Sequence, residues 1–398
     1  MSTFVQSGWL TERRIRAHGL LLAICLWSVY AVDLTAPGLR DRFGFLKGTD
    51  FLHFYTLGHL ALAHRGDLLY DLRAQAALMA NLVPQSAGRV FVPLYAPQVS
   101  LLFVPLARLP YLWAFTVWTI FNVAVYFLCC YAIWKRCRNL CGNGATVFVL
   151  ALAFPGFFHL VVWGQSSALA LVCFTLAFLA LRDHRDFLAG LALGMLICKP
   201  QLGLAAAFLF LLTARWKILL GGILGAFAQL SIGWCYYGAG VMRSYAHALW
   251  HLRDIYPLIE PRPYQNDSLL SFWSMLLPWP TLALWTYLAS ALIVLAITIA
   301  YWKSSASLEL RFSALLLASI LLAPHATVYD LVILAPAYLL IADAMLPDSR
   351  RVAWLLYLSF PVFLLAPLAR VTHVQWSVLV IVVLLWTLYG SAKPAPSA

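Results

Sequence analysis

Long apolar runs separated by short polar corners dominate this sequence. Many of the runs are roughly 17 to 25 residues long, which is the length an α-helix needs to cross a hydrocarbon core of about 30 Å. Hydrophobic residues fill 63% of the 398 positions and charged residues only 11%, unlike a soluble domain. The alternating pattern of membrane β-strands is absent. We therefore predict an all-α polytopic membrane protein with about twelve membrane helices.

Basic residues predict the orientation of these helices. Arg13, Arg14 and Arg16 precede the first apolar run, whereas the short turns around Gln165 and His325 contain no Lys or Arg. Since basic residues concentrate in short cytoplasmic turns, we expect both termini in the cytoplasm and those two turns on the outer face of the plasma (inner) membrane.

The same topology divides the chain, which we treat as one integral membrane domain over residues 1–398. Two long outer loops, about 37–110 and 238–280, contain short amphipathic or re-entrant helices. Residues 187–214 form a pair of short helices that meet at Lys199 and Pro200. Membrane spans are expected over 111–134, 145–162 and 352–368, among others, and the tail 391–398 is expected to be disordered.

Several classes of function are disfavoured. The net charge of +12 suits nucleic acid, but in a chain this apolar the basic residues mostly flank membrane helices, so no nucleic-acid partner is expected. The sequence contains no Walker loop and no Rossmann glycine pattern, so no nucleotide-binding site is expected. The cysteines lie in apolar runs or an inner loop without zinc-site spacing, so we interpret them as structural thiols. We expect no cofactor and no metal.

Ionisable residues converge on the outer face. Asp50 follows the first span in a segment too polar to cross a bilayer, and ionisable groups at membrane depth usually have a function. We take Asp50 as the candidate catalytic base. The candidate substrate-binding or phosphate-binding residues are His53, Tyr55, Gln165, Lys199, Asn266, Asp267, His325 and Arg370.

Lys199 is the strongest candidate for binding a phosphate. It precedes Pro200, which suits the first turn of a helix, and the positive N-terminal end of that helix adds to its charge. Two nearby carboxylates have structural alternatives, because Asp267 could cap a helix starting near Ser268 and Asp330 could cap the helix after it.

The histidines and aromatic residues of the first outer loop also have structural alternatives. His53, His59 and His64 could suggest a metal, but their spacing favours ordinary interfacial histidines. Tyr55 and Trp163 could belong to the aromatic belt of the membrane interface rather than contact a ligand.

An ordered set of motifs resembles glycosyltransferase family 87, of the GT-C superfamily. The motifs span residues 20–345. They are Asp50-Phe51-Leu52-His53-Phe54-Tyr55, Leu69-Tyr70-Asp71, Tyr95-Ala96-Pro97, Trp163-Gly164-Gln165-Ser166-Ser167, Lys199-Pro200-Gln201, Asn266-Asp267-Ser268-Leu269 and Tyr329-Asp330-Leu331. The chain has Ser166 where the family often has Asn, and Ala96 where it often has a second proline.

The resemblance implies a GT-C-like bundle and an inverting mannosyltransferase. The donor would be a polyprenyl-phosphate sugar, the acceptor a hydroxyl of an outer-face glycan or glycolipid, and Asp50 the general base. Lys199, with His325 or Arg370, would stabilise the lipid phosphate, and membrane lipids would surround the helices. A transporter or flippase also uses broken helices and buried cations, although no internal repeat is evident. A scaffold without chemistry would leave the outer-face charges unexplained.

Overall fold

The computed structural model describes residues 9–251, 262–347 and 349–391. Within these ranges there is no β-strand, and the α-helices are joined by turns, 3-10 helices and a few longer connections. They are α1 (Glu12–Leu34), α2 (Phe51–Leu62), α3 (Leu72–Leu82), α4 (Tyr111–Trp134), α5 (Gly144–Leu152), α6 (Pro155–Trp163), α7 (Ser167–Arg182), α8 (Asp186–Gly194), α9 (Pro200–Leu212), α10 (Trp216–Trp250), α11 (Leu269–Leu276), α12 (Pro280–Trp302), α13 (Leu308–Leu322), α14 (Ala335–Met345), α15 (Arg350–Phe363), α16 (Ala366–Thr372) and α17 (Trp376–Gly390). The all-α prediction is confirmed, while the disorder expected for the tail falls on 392–398, outside the described residues.

Several helices suit a membrane. Four of the described helices, α1, α4, α10 and α12, are each long and apolar enough to cross a bilayer, and two bent pairs raise the number to six if each pair is one span. Shorter apolar helices, among them α7, α9 and α17, pack beside them. The protein is therefore a multi-pass membrane protein, and the figure of about twelve crossings stays a prediction.

Two of the expected spans are each formed by two helices with a bend between them. The chain bends by 46° between α5 and α6 and by 78° between α15 and α16. In both cases the second helix begins with a proline in its first turn, Pro155 or Pro367. Proline disfavours a helical conformation in the residue before it and lacks the N–H that a continuous helix would use, so the helix restarts in a new direction.

The predicted short helix pair is confirmed. Helix α8 ends in a 3-10 turn at Cys198, and α9 starts at Pro200, which leaves Lys199 at the break. Close packing on α10 holds α8 in place, since a Cβ on Gly190 would lie 2.0 Å from the carbonyl oxygen of Ile218. The small residues of α8 and α10 thus allow direct backbone contact.

The two segments predicted to be long outer loops, 37–110 and 238–280, contain several helices. Helix α10 continues past its break at Gly238, where φ is +79°, as far as Trp250. The segment 37–110 contains α2, α3 and several 3-10 turns around a small aromatic core. This core includes Phe51, Phe54, Phe103 and Trp118. It packs the start of α2 against the corner between α6 and α7.

Candidate active site

Asp50 precedes the first residue of α2, and its carboxylate does not cap the helix. Its backbone N–H donates to the carbonyl of Trp163 at 3.0 Å, which fixes the loop to the end of α6. Its side chain accepts no hydrogen bond from the first turn of α2. Asp50 as a whole residue is half-buried.

Gln165 holds the Asp50 carboxylate. Gly164 ends α6 in the left-handed conformation at φ +68°, and a Cβ there would lie 2.8 Å from the Cβ of Phe51, so glycine alone fits the corner. The next residue points its amide at the site, and Gln165 Nε2 donates to Asp50 Oδ2 at 3.2 Å. Gln165 therefore contacts the candidate base, and its predicted role in substrate binding stays a prediction.

The hydrogen bonds of the Gln165 amide oxygen determine the orientation of the amide group. Gln165 Oε1 accepts the backbone N–H of Ser166 at 2.8 Å and the hydroxyl of Tyr95 at 3.4 Å. A carbonyl oxygen that receives such donors leaves the NH2 group to face the carboxylate. Tyr95 was not among the predicted residues, although it lies in one of the motifs.

Burial raises the pKa of Asp50 to about 6, although the hydrogen bond from Gln165 and the charges of Lys199, Arg89 and His325 each lower it. A carboxylate with this pKa is mostly ionised at neutral pH and still basic enough to accept a proton. General bases work best when their pKa lies near the working pH.

Lys199 is paired rather than free, which corrects the expectation of an open anion site. Its Nζ lies 2.8 Å from Asp330 Oδ1 and 2.9 Å from Ser167 Oγ, and both charged side chains are at most 5% exposed. The ring of Tyr329 covers the ammonium at 5.0 Å. The pair joins three segments that are distant in sequence, namely the α6–α7 corner, the α8–α9 break and the turn before Asp330.

Asp330 is the counter-ion of Lys199 and not a helix cap. Its second oxygen accepts the backbone N–H of Thr327, in the preceding turn, at 3.1 Å. Burial opposes the charge on Asp330, but Lys199 and Ser167 outweigh it and hold the pKa of Asp330 below its ordinary value. A buried charge pair satisfied in this way costs little only because each partner neutralises the other.

Two further basic residues influence Asp50. Arg89 and His325 both act on its carboxylate electrostatically, one from the first outer loop and the other from the turn before Asp330. In the described part of the chain the Arg89 guanidinium forms no hydrogen bond or ion pair. His325 was predicted for this face, whereas Arg89 was missed because a lone arginine in a long loop has no distinguishing pattern.

His53 and Tyr55 lie beside Asp50 on α2, and only His53 keeps free polar atoms. Both its ring nitrogens lack a partner among the described residues, and the ring packs near Phe91 and Tyr95. Burial lowers the pKa of His53 to about 4, so its ring is neutral at pH 7. The Tyr55 hydroxyl instead donates to the carbonyl of Leu109 at 2.7 Å, which ties α2 to the segment before α4.

The three histidines of this loop do not converge. The ring of His59 packs edge-on against Tyr55, with 4.6 Å between ring centroids. His64 Nδ1 lies 3.2 Å from the hydroxyl of Tyr236 on α10. In the described ranges no cluster of three or more His, Cys, Asp or Glu side chains is placed to hold a metal ion.

Asn266 and Asp267 attach the second outer loop to the His325 turn. The backbone N–H of Asp267 donates to Ala326 at 2.6 Å, and its Oδ1 accepts the Ser377 hydroxyl of α17. Burial raises the pKa of Asp267 to about 7, although the Ser377 bond lowers it. Ser268 is the residue that caps α11, so the capping role considered for Asp267 was wrong.

One polar atom of each residue in this pair is left without a partner. Asn266 Oδ1 and Asp267 Oδ2 are buried and accept no hydrogen bond from the described residues. Their binding role stays a prediction, as does that of Arg370. Arg370 is exposed on α16, which packs against the 3-10 turn Pro263–Gln265, and no described contact joins it to Asp50.

The fold and the site together define a class. The protein is an integral membrane protein in which short loop helices and helix breaks assemble a carboxylate, its amide partner and basic residues at one end of an apolar bundle. Such a site suits chemistry on a substrate that is itself partly in the membrane.

Comparison with known families narrows this class. The family model described as glycosyltransferase family 87 matches residues 94–326, more than half of the chain. No curated protein and no solved structure matches this chain. The chain belongs to glycosyltransferase family 87, and its all-helical membrane fold is consistent with the GT-C superfamily. It is a membrane glycosyltransferase, which decides between the enzyme and the transporter.

Proposed function

We propose that this glycosyltransferase moves a hexose, with mannose as the expected sugar, from a polyprenyl-phosphate donor to a hydroxyl of a glycan or glycolipid on the outer face of the membrane. The Asp50 carboxylate carries the proposal, because it is held by Gln165, has a pKa near 6 and is not used to cap α2. Of the other carboxylates described at this site, Asp330 is paired with Lys199 and Asp267 is buried.

In the proposed reaction Asp50 accepts the proton of the acceptor hydroxyl. The hydroxyl oxygen bonds to the anomeric carbon while the bond from that carbon to the phosphate oxygen breaks. The electron pair of the broken bond leaves with the lipid phosphate. A single displacement of this kind inverts the anomeric configuration.

The departing phosphate gains negative charge, and the cations around Asp50 are suited to stabilise it. Arg89 has an unengaged guanidinium whose fork of donors matches phosphate oxygens, and His325 approaches from the opposite segment. Lys199 adds positive potential from behind its partner Asp330. We propose no cofactor, because a lipid monophosphate leaving group needs less neutralisation than a nucleotide diphosphate.

The decisive variant is Asp50→Asn, which keeps the size of the side chain and its bond to Gln165 but removes the base. We expect turnover to fall by about 10²- to 10⁴-fold while the protein folds and retains donor. Asp67→Asn is the matched control, since Asp67 lies in the same loop in a surface ion pair with Arg65. Wild-type turnover by the Asp50 variant would refute its role as base.

The donor class needs a separate assay. Membranes containing the protein are supplied in parallel with radiolabelled polyprenyl-phosphate mannose, polyprenyl-phosphate glucose and a nucleotide sugar, and the labelled product is isolated. We expect transfer from the polyprenyl-phosphate mannose with inverted anomeric configuration. Direct transfer from the nucleotide sugar, in membranes depleted of polyprenyl phosphate, would contradict the proposed donor while leaving Asp50 open as base.

A further inference from the structure

A cavity lies at the opposite end of the bundle from Asp50. Helix α4 marks the two ends, because the Tyr111 hydroxyl at its start bonds the loop before Asp50 and its far half lines the cavity with Tyr126 and Cys130. The cavity measures about 110 Å³ and is enclosed by α1, α4, α5, α14 and α15. The proposed transferase reaction does not use it.

The lining of this cavity has few free polar groups. The hydroxyl of Thr146 is bonded to Glu12 and that of Tyr126 to the carbonyl of Ala151, each at 2.9 Å. The Tyr338 hydroxyl has no hydrogen-bond partner among the described residues, and a single free group is fewer than an internal water needs. Most of the remaining lining consists of aliphatic and aromatic side chains. Because an internal water needs two to four polar partners, apolar cavities of this kind stay dry and accept hydrocarbon. In a bilayer the available hydrocarbon is a lipid chain.

Exposed basic residues lie close in sequence to residues that line this cavity. Ile15 lines the cavity between Arg14 and Arg16, and Ala353 lines it one helical turn after Arg350. The side chains of Arg16 and Arg350 are exposed, and so are those of Arg13 and Arg351. Basic pockets between membrane helices on the cytoplasmic side bind anionic lipid headgroups.

Aromatic residues beside the cavity indicate its depth. Trp9 stacks on Trp354 with 5.6 Å between ring centroids, and its ring also meets the edge of Tyr357, which lines the cavity. Trp and Tyr concentrate where the hydrocarbon meets the headgroups. The cavity therefore lies just inside the headgroup level of the leaflet that faces the basic end.

We propose that this cavity is a binding site for one anionic phospholipid, with an acyl chain between α1, α14 and α15 and its headgroup among Arg13, Arg16, Arg350 and Arg351. The lipid fills a dry space that the helices leave open and neutralises a cluster of like charges. It would hold α1 and α15 together at the end of the bundle remote from the site.

Native mass spectrometry of the full-length protein in detergent tests the site. Phosphatidylglycerol and phosphatidylcholine with identical chains are added separately at matched concentrations. We expect one phosphatidylglycerol to be retained in preference to phosphatidylcholine, and Ala342→Phe, which fills the cavity, to abolish that retention. Ala300→Phe is the control, because Ala300 is exposed near the C-terminal end of α12 and does not line the cavity.

The headgroup is tested with Arg350→Gln/Arg351→Gln, exposed positions whose loss leaves the packing intact. We expect phosphatidylglycerol affinity to fall by about fivefold for each arginine removed, with Lys303→Gln as the control. Equal retention of the two lipids, an unchanged affinity in the arginine variant, or equal loss in both phenylalanine variants would overturn the proposal. If Ala342→Phe does not fold, the arginine variants and the lipid comparison still decide it.

Discussion

The buried pair of Lys199 and Asp330 offers a quantitative test of the site's architecture. The charged atoms are 2.8 Å apart and almost fully out of contact with solvent. Removal of either partner leaves the other charge buried without a counter-ion, so Lys199→Met or Asp330→Leu should each lower the free energy of unfolding by about 3–5 kcal/mol. The double variant removes both charges and leaves an apolar contact, so its cost should be at least about 3 kcal/mol below the sum of the two.

The free energies are measured by denaturant unfolding of the four proteins in detergent micelles. The surface pair of Arg65 and Asp67 is the matched control, because its atoms are also 2.8 Å apart but its side chains are 54% and 61% exposed. Water and salt screen that pair, so its own cycle should show no measurable coupling. Additive effects for Lys199 and Asp330 would refute the conclusion that they stabilise each other's charge.

Turnover measurements on the same proteins distinguish a structural role of Lys199 from a role in the reaction. If Lys199 only holds three segments together, the double variant should recover turnover along with stability. We expect recovery of stability but turnover still reduced by about 10²-fold, because the positive potential at the leaving phosphate is gone. Full recovery of turnover would show that the lysine has a structural role alone.

Three further outcomes follow from the geometry. Since Asp50 acts only when ionised and its pKa is about 6, turnover at saturating donor should be constant above that pH and fall about tenfold for each unit below it; a flat profile down to pH 4 would contradict its role. Gln165→Leu removes a hydrogen bond that lowers this pKa, so the acid limb of the pH profile should move to higher pH, and an unmoved limb would show that Gln165 does not tune Asp50. Gly190→Leu would force side-chain atoms into the backbone of α10 and should abolish the folded protein in size-exclusion chromatography, whereas Gly203→Leu, where a Cβ meets only the Leu196 side chain at 3.5 Å, should be tolerated; equal yields would refute the close packing of α8 on α10.

Much of the fold was predictable because membrane helices are specified by local composition. The predicted span Tyr111–Trp134 coincides with α4, and the pair of short helices breaks at Lys199 as expected. The bends before Pro155 and Pro367 were missed, since a bend inside an apolar run does not change its hydropathy.

The sequence by itself determined that the chain is a helical membrane protein, and it singled out Asp50 as the candidate base. Only the tertiary structure decided the partners of the site residues. It paired Lys199 with Asp330 across 131 positions of sequence and directed the Gln165 amide at Asp50 across 115. Hydropathy locates the membrane helices along the sequence, but side-chain direction and helix packing determine which residues touch.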